Sequence, residues 1–553
     1  MKGKKALSIF IVLLLGVASS FLLDTFFLQK YNSPKSVAAS DNQIKFNQSY
    51  YTQIINWQGC WQNGFTKSNF SNFSFLNPSY KCAKIKSPKN WFNNNGGDID
   101  LALKIHLATN PQGTIIVNPG GPGVSGVDFM ENLIGNILPN SITNNYNILG
   151  FDPRGVGLSS AVKCFNSNTE KDSYLYKTYY NLPNQLSQAM ADQKQYIQNC
   201  YSLSGDLLNF IDSQSTARDL DLIRALMGEK LLNYIGYSYG TTLGENYISL
   251  FPDKVGKIVL DGVVLPNLSN KDNLTNNITQ DNITQGIELT KTFNKFIDYC
   301  LKSNSCALNN NYNDNNNQNI KTNDLFKNQD QANKQFISFF SNLSNNPLKT
   351  SDNRLLTNQA AFLGIVFGLQ SFQGWDVLIE ALNQAIAQND GSKLLKLADN
   401  YTNRNNDGSY NGNLFEANSI IKCLDNNQRV DDFTKQTKEI ATIKKQIPVF
   451  YEFYLYPKIE CIDLPKSKII KQLNYSQTTD NKAILIATTG DWITPYIDAV
   501  KVHKIMSNST ILLINQSNSH TSYNAKNKCL VNYIDNYFLK NSLPNNNSKC
   551  FDE

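Results

Sequence analysis

The chain has 553 residues, 41% of them hydrophobic, enough for one large domain with an insertion or roughly two to four smaller domains. Its formal charge is +6 with only 17% charged residues, and no long Lys/Arg run is present, so a nucleic-acid partner is not expected. There is no C-x-x-C and only three histidines serve the whole chain, which argues against a zinc site.

At the N-terminus, Lys2, Lys4 and Lys5 precede an apolar run from Ala6 to about Leu23, the layout of a secretory signal. Ala18, Ser19 and Ser20 offer a cleavage site, and Val37-Ala38-Ala39 offers a second. The run approaches the roughly 18 residues at which an uncleaved membrane anchor becomes possible. Export is the expectation, to the periplasm, the cell envelope or the medium. Residues 1–40 are read as signal or anchor plus linker. Ten cysteines fall as near neighbours: Cys60 and Cys82, Cys164 and Cys200, Cys300 and Cys306, Cys423 and Cys461, Cys529 and Cys550. An even count in an exported chain suggests disulfides, and sequential pairing is the simplest scheme.

Tyr80 to Lys86 and Asp98 to Thr109 read as early strands, and Thr114 to Val117 as a short β-branched strand. The last leads into Asn118-Pro119-Gly120-Gly121-Pro122-Gly123-Val124-Ser125-Gly126. A strand ending in a Gly-Pro loop leaves backbone N–H groups free to meet a developing oxyanion. Asn147 to Phe151 is a further strand, followed by Asp152-Pro153-Arg154-Gly155, where Asp152 and Arg154 are expected to pair as scaffold. Ser215 to Met227 reads as an amphipathic helix with Ala217, Leu220, Ile223, Leu226 and Met227 on one face, stopped at Gly228.

Leu231 to Ile235 is an apolar strand that runs into Gly236-Tyr237-Ser238-Tyr239-Gly240 and a helix over Thr241 to Leu250. Strand, G-x-S-x-G and helix is the context of a nucleophile elbow, with Ser238 at its tip. Ile258 to Leu260 is the next strand. Residues 267–284 and 309–323 are Asn-rich and without packing pattern, and helical segments lie between and after them: Leu289 to Leu301, Asn333 to Leu343, Asn358 to Phe367, Trp375 to Gln388 and Ser392 to Asn400. Residues 267–445 are therefore read as a mostly helical cap inserted into a core made of residues 41–266 and 446–553. Strands resume at Ala483 to Thr488 and Thr510 to Ile514, and a terminal helix spans about Lys528 to Leu539.

Asp491 follows the first of these late strands and His520 the second. Ser238, Asp491, His520 is the chain order of an α/β-hydrolase triad. His106, in a strand, and His503, in a helical surface stretch, are poorer candidates for the base, and Asp498 lies too far past its strand to be the acid. The expected fold class is α/β, with a mostly parallel central sheet flanked by helices.

On these residues the chain resembles the tripeptidyl aminopeptidase branch of the prolyl-aminopeptidase-like serine exopeptidases. The resemblance runs from about Trp57 to Cys550 and is carried by Asn118 to Gly126, Phe151 to Ser159, Thr216 to Gly244, Val259 to Pro266 and Asp491 to Ala499. It implies Ser238 as nucleophile, Asp491 as acid, His520 as base, and the backbone N–H groups of Gly121 and Tyr239 as oxyanion donors. It implies no cofactor, and peptide substrates with a free N-terminus. Where the family has a small residue or Gly after its histidine, this chain has Thr521. Glu416 and Asp425 are candidates for pairing with the substrate amine, without a feature that singles either out. Two other classes stay open: an exported carboxylesterase or lipase with the same triad, and a non-catalytic surface protein on a hydrolase fold.

Overall fold

The computed structural model describes residues 48–551 except 61–64, 66–78, 94–95, 179–184, 267–277, 304–305, 307–327, 427–433, 456, 465–466 and 468–469. The N-terminal signal reading and most of both Asn-rich loops lie outside the described residues.

Among the described residues, ten strands form one sheet. In chain order they are β1 (Gln58–Gly59), β2 (Tyr80–Pro88), β3 (Asp98–His106), β4 (Thr114–Asn118), β5 (Asn147–Phe151), β6 (Leu232–Tyr237), β7 (Val255–Asp261), β10 (Ala483–Thr488), β11 (Thr510–Gln516) and β12 (Ser548–Phe551). A separate two-stranded ribbon pairs β8 (Leu348–Lys349) with β9 (Leu355–Leu356). The large sheet is ordered β1-β2-β3-β5-β4-β6-β7-β10-β11-β12. Pairing is antiparallel from β1 through β3 to β5 and parallel from β5 to β12.

The parallel strands are apolar along their length because both faces are covered. Every residue of β4, β5 and β10 is buried. Along β10, Ile484 and Ile486 join the core on one face, while Leu485 and Ala487 join the core on the other. That is the two-residue alternation of a pleated strand.

Helices α1 (Gly126–Asn132), α2 (Asn168–Leu175) and α3 (Leu186–Ser204) come before α4 (Ser213–Leu226), which precedes β6, and here the amphipathic expectation needs correction. All its residues are buried, polar ones included. Its polar face is neutralised instead of solvated: Asp219 pairs with Arg154 at 2.7 Å, and Asp221 with Arg224 at 2.7 Å. The expected pairing of Asp152 with Arg154 does not occur. Asp152 instead accepts from Ser125 Oγ (2.5 Å), Val127 N (3.1 Å) and Leu158 N (2.7 Å), joining the Gly-Pro loop to the turn after β5. Both residues are scaffold, through different partners.

Between β7 and β10 the described residues carry, besides the β8–β9 ribbon, the helices α6 (Ile278–Lys302), α7 (Gln329–Asn345), α8 (Asn358–Gly368), α9 (Trp375–Ala387), α10 (Ser392–Thr402), α11 (Leu414–Asn426) and α12 (Thr434–Gln446). These helices have a core of their own, from Leu289 and Phe293 to Phe450 and Leu455, and Trp492 enters it from the loop after β10. The sequence reading did not identify α11 or α12. The ten cysteines form five disulfides between sequence neighbours: Cys60–Cys82, Cys164–Cys200, Cys300–Cys306, Cys423–Cys461 and Cys529–Cys550. Such a set persists in an oxidising compartment. Among the described residues no helix is long and apolar enough to cross a membrane.

Candidate active site

Parallel register brings the C-terminal ends of β4, β6, β7 and β10 together. Asn118 lies opposite Gly236, Tyr237 opposite Asp261, and Ile486 opposite Asp261. In open α/β sheets this edge is where ligands bind. Ser238 follows β6 directly and has φ 54°, a left-handed conformation uncommon for a side-chain-bearing residue. Its amide donates to Asp261 O at 2.8 Å, and Thr241 N donates to its carbonyl at 2.8 Å. The two elbow glycines are required by close approach: a Cβ on Gly236 would lie 2.4 Å from Gly240 O, and one on Gly240 would lie 2.7 Å from Asn118 O. The strand therefore turns at once into α5 (Gly240–Leu250), leaving Ser238 half-buried at the tip. Among the described residues its hydroxyl has no hydrogen-bond partner.

The Gly-Pro loop after β4 lies against this turn. A Cβ on Gly120 would meet Tyr237 O at 2.6 Å and Ser238 Cβ at 2.9 Å. Asn118 Oδ1 accepts from Gly120 N at 3.0 Å and shapes the loop. Neither the Gly121 nor the Tyr239 backbone N–H is taken by an acceptor among the described residues.

Asp491 follows β10 after a two-residue turn, and its side chain is fully buried. Oδ1 accepts from Ile493 N and Thr494 N, both at 2.9 Å, and Oδ2 from Thr494 Oγ1 at 2.6 Å. His520 sits in the loop after β11 with its Nδ1 2.8 Å from Asp491 Oδ2. Burial alone would pull the imidazole pKa down, but the charge and hydrogen bond of Asp491, with Asp261 behind it, outweigh burial and raise it from 6.5. The ring lies over Gly262, where a Cβ would be 3.4 Å from His520 Cε1. Ser238 and His520 thus border adjacent residues at the end of β7, Ser238 on Asp261 and His520 over Gly262. An imidazole held by a carboxylate through Nδ1 presents Nε2 as a proton acceptor.

Several supporting residues carried no assignment in the sequence reading. Asp261 Oδ2 accepts from Ser522 N (2.8 Å) and Tyr523 N (2.7 Å), fixing the loop that carries the histidine. Burial pushes this carboxyl up, its two backbone donors pull it down, and the result is about 6. An acidic residue ending the strand beside the elbow was the available signal. From the helical layer, Gln370 O accepts from His520 N at 2.7 Å and Leu369 O from Trp492 Nε1 at 3.1 Å. No local pattern announces those two carbonyls.

Of the remaining candidates, His106 ends β3 against the Tyr80 ring, with its pKa lowered by burial. His503 meets Thr510 through Nδ1 at 2.9 Å. Asp498 pairs with Lys501 at 3.1 Å. Glu416 is buried on Lys171 at 2.9 Å, and Asp425 is held by Ser213. Both acids are engaged inside the protein.

The chain is similar to several known proteins. The chain is 27% identical over 484 residues to "Serine protease Hip1" of Mycobacterium tuberculosis (strain ATCC 25618 / H37Rv), covering 85% of this chain and 87% of that protein. It is 28% identical over 478 residues to "Carboxylesterase B" of the same strain, covering 85% and 86%. To "Tripeptidyl aminopeptidase" of Streptomyces lividans it is 36% identical over 203 residues, covering 34% of this chain and 36% of that protein. Residues 113–518 match the alpha/beta hydrolase fold family, and the chain belongs to it.

Proposed function

We propose that this protein is an exported serine exopeptidase that releases short peptides, tripeptides in the first place, from the N-termini of peptide substrates. The observation that carries the chemistry is the placement of Ser238, on a left-handed elbow, beside the strand end over which the Asp491-held imidazole of His520 lies. The peptidase reading is supported by the relatives named serine protease and tripeptidyl aminopeptidase. Export is supported by five disulfides and the N-terminal apolar segment.

In this reading Ser238 Oγ attacks the scissile carbonyl while His520 Nε2 takes its proton. Asp491 keeps the imidazole in the tautomer with its proton on Nδ1 and stabilises the charged form. The oxyanion is met by the N–H groups of Gly121 and Tyr239, and losing one such donor costs about 10²–10³ in rate. His520 returns its proton to the leaving amine, which departs and leaves an acyl-Ser238. Water then attacks the acyl carbonyl, giving a proton to His520, which passes it to Ser238 Oγ as the ester bond breaks and the new carboxylate leaves. The helical insertion acts as a cap that limits access to substrate ends.

A second reading, an exported esterase, is favoured by the relative named carboxylesterase B. Purified protein should be labelled by a fluorophosphonate at Ser238, and Ser238→Ala should not be. It should then cleave a tripeptide para-nitroanilide with a free amine and spare the N-acetylated form. Brisk turnover of para-nitrophenyl butyrate with no peptide release would overturn the exopeptidase reading. Absence of labelling in folded protein would overturn both.

A further inference from the structure

Helix α11 touches both segments that border the elbow. At its N-terminal end a Cβ on Gly123 would lie 2.6 Å from Leu414 O and 3.1 Å from Ala417 Cβ, so the helix and the Gly-Pro loop are in backbone contact. Asn418 Nδ2 donates to Pro122 O at 3.0 Å, one residue beyond Gly121. Two turns later Asp425 Oδ1 accepts from Ser213 N at 2.8 Å. Ser213 Oγ also hydrogen-bonds Asp425 Oδ2 and, on its other side, the hydroxyl of Tyr239, which is the residue after Ser238. A seven-residue separation puts Asn418 and Asp425 on one face of the helix, about 10 Å apart along its axis.

Both ends of the helix are anchored. Before its first turn Asn413 donates to Gly155 O (2.8 Å) and Val162 O (2.9 Å) and accepts from Gly157 N (2.9 Å). In its last turns Cys423 is bonded to Cys461. Tyr239 is buried, so its hydroxyl cannot move without breaking the chain of hydrogen bonds to Asp425.

We propose that α11 is a clamp on the oxyanion hole, with Asn418 and Asp425 as positioning residues that hold its two donor-bearing segments at a set separation. This rests on the assignment of Gly121 and Tyr239 as the donors. The clamp belongs to the helical insertion, so the seating of that insertion and the alignment of the donors become one event. A misplacement of about 1 Å in such a site costs about 10²-fold.

The test compares Asn418→Ala, Asp425→Ala, Asp425→Asn and the double alanine variant, with para-nitrophenyl butyrate as substrate so that peptide specificity does not enter. Rates are expressed per site titrated with a fluorophosphonate, which removes the effect of unfolded protein. Each alanine variant should lose about 10- to 100-fold in kcat with KM changed less than about threefold, because the donors act on charge made only in the transition state. Asp425→Asn, which keeps an acceptor for Ser213 N, should recover most of the loss. Hydrogen exchange read by mass spectrometry provides an arm independent of turnover. Asn418→Ala should speed exchange in 119–126, and Asp425→Ala in 212–216 and 238–242. Unchanged exchange in those segments, or kcat within twofold of the parent in the double variant, would overturn the clamp. If the parent protein turns over nothing, the proposed function fails, and the exchange result alone decides whether α11 holds these segments.

Discussion

His520 Nδ1 lies 2.8 Å from Asp491 Oδ2 and 3.0 Å from Oδ1, against a carboxylate that also receives two backbone amides and the Thr494 hydroxyl. The imidazole therefore faces a fixed, fully buried negative charge, and the pH behaviour of the site follows from that pairing.

Asp491 raises the His520 pKa above 6.5 against the downward pull of burial. A base works only when neutral, so activity should rise with pH through the folded-state pKa of His520, with the midpoint of the acid limb of kcat/KM above 6.5. Asp491→Asn should move that midpoint down and cut kcat by about 10⁴, the size of the loss when a triad carboxylate is neutralised elsewhere. A midpoint unchanged in this variant would contradict the pairing as the cause.

Thr521 occupies the position where the resembling family has a small residue or Gly, and it has φ 60°. A left-handed conformation costs a residue with Cβ roughly 1–2 kcal/mol, whereas Gly adds about 0.5–1 kcal/mol of chain entropy to be lost on folding. Thr521→Gly should therefore be neutral to about 1 kcal/mol stabilising, with activity within about threefold, because the Thr521 amide still reaches Asp491 Oδ2. A clear loss in urea unfolding would mean that the Thr521 methyl packed near Gly262 counts for more than the backbone strain.

Arg154 is wholly buried and donates to both oxygens of Asp219 at 2.7 Å, to Phe210 O at 2.8 Å and to Lys89 O at 3.0 Å. Arg154→Leu strands a buried carboxylate, and the expected cost is about 3–5 kcal/mol. Removing both partners, as Arg154→Leu with Asp219→Leu, should recover part of it. A single variant as stable as the parent would show that Ser87 and Trp91, the other donors to Asp219, suffice alone.

Burial pushes Asp152 and Asp261 up to about 6 and Asp425 up to about 7, against hydrogen bonds that pull each down. In the unfolded chain these groups lose their protons near pH 4. Between about pH 4 and 7 the folded state therefore binds more protons, and stability falls as pH rises through that window. The raised pKa of His520 acts in the same direction, and the lowered pKa values of His106 and His503 oppose it. The melting temperature should be higher at pH 5 than at pH 7.5, and Asp261→Asn should flatten the decline. A melting temperature that climbs across this range would contradict the burial account.

The strands were readable because a parallel sheet covered on both faces demands unbroken apolar runs, and β4, β5 and β10 are such runs. The elbow was readable because backbone approach leaves no room for a Cβ at Gly236 or Gly240. Helix α4 was placed correctly along the chain, but its polar face was not foreseen as buried, since the partner of Asp219 is 65 residues away. Helix α11 has the helical period, with Ala417, Ile420, Ile421 and Leu424 buried along one stripe, but nothing in that period shows that its polar residues Asn418 and Asp425 face loops of the core instead of solvent.

Local chemistry, the turn that only glycine permits and the order of Ser238, Asp491 and His520, was determined by the sequence alone. Which side chains meet was decided by the tertiary structure. Arg154 chose Asp219 over Asp152, Glu416 was spent on Lys171, and α11 was laid across the elbow, because burying a charge or a polar group is tolerated only where folding supplies its partner, and that partner can come from anywhere in the chain.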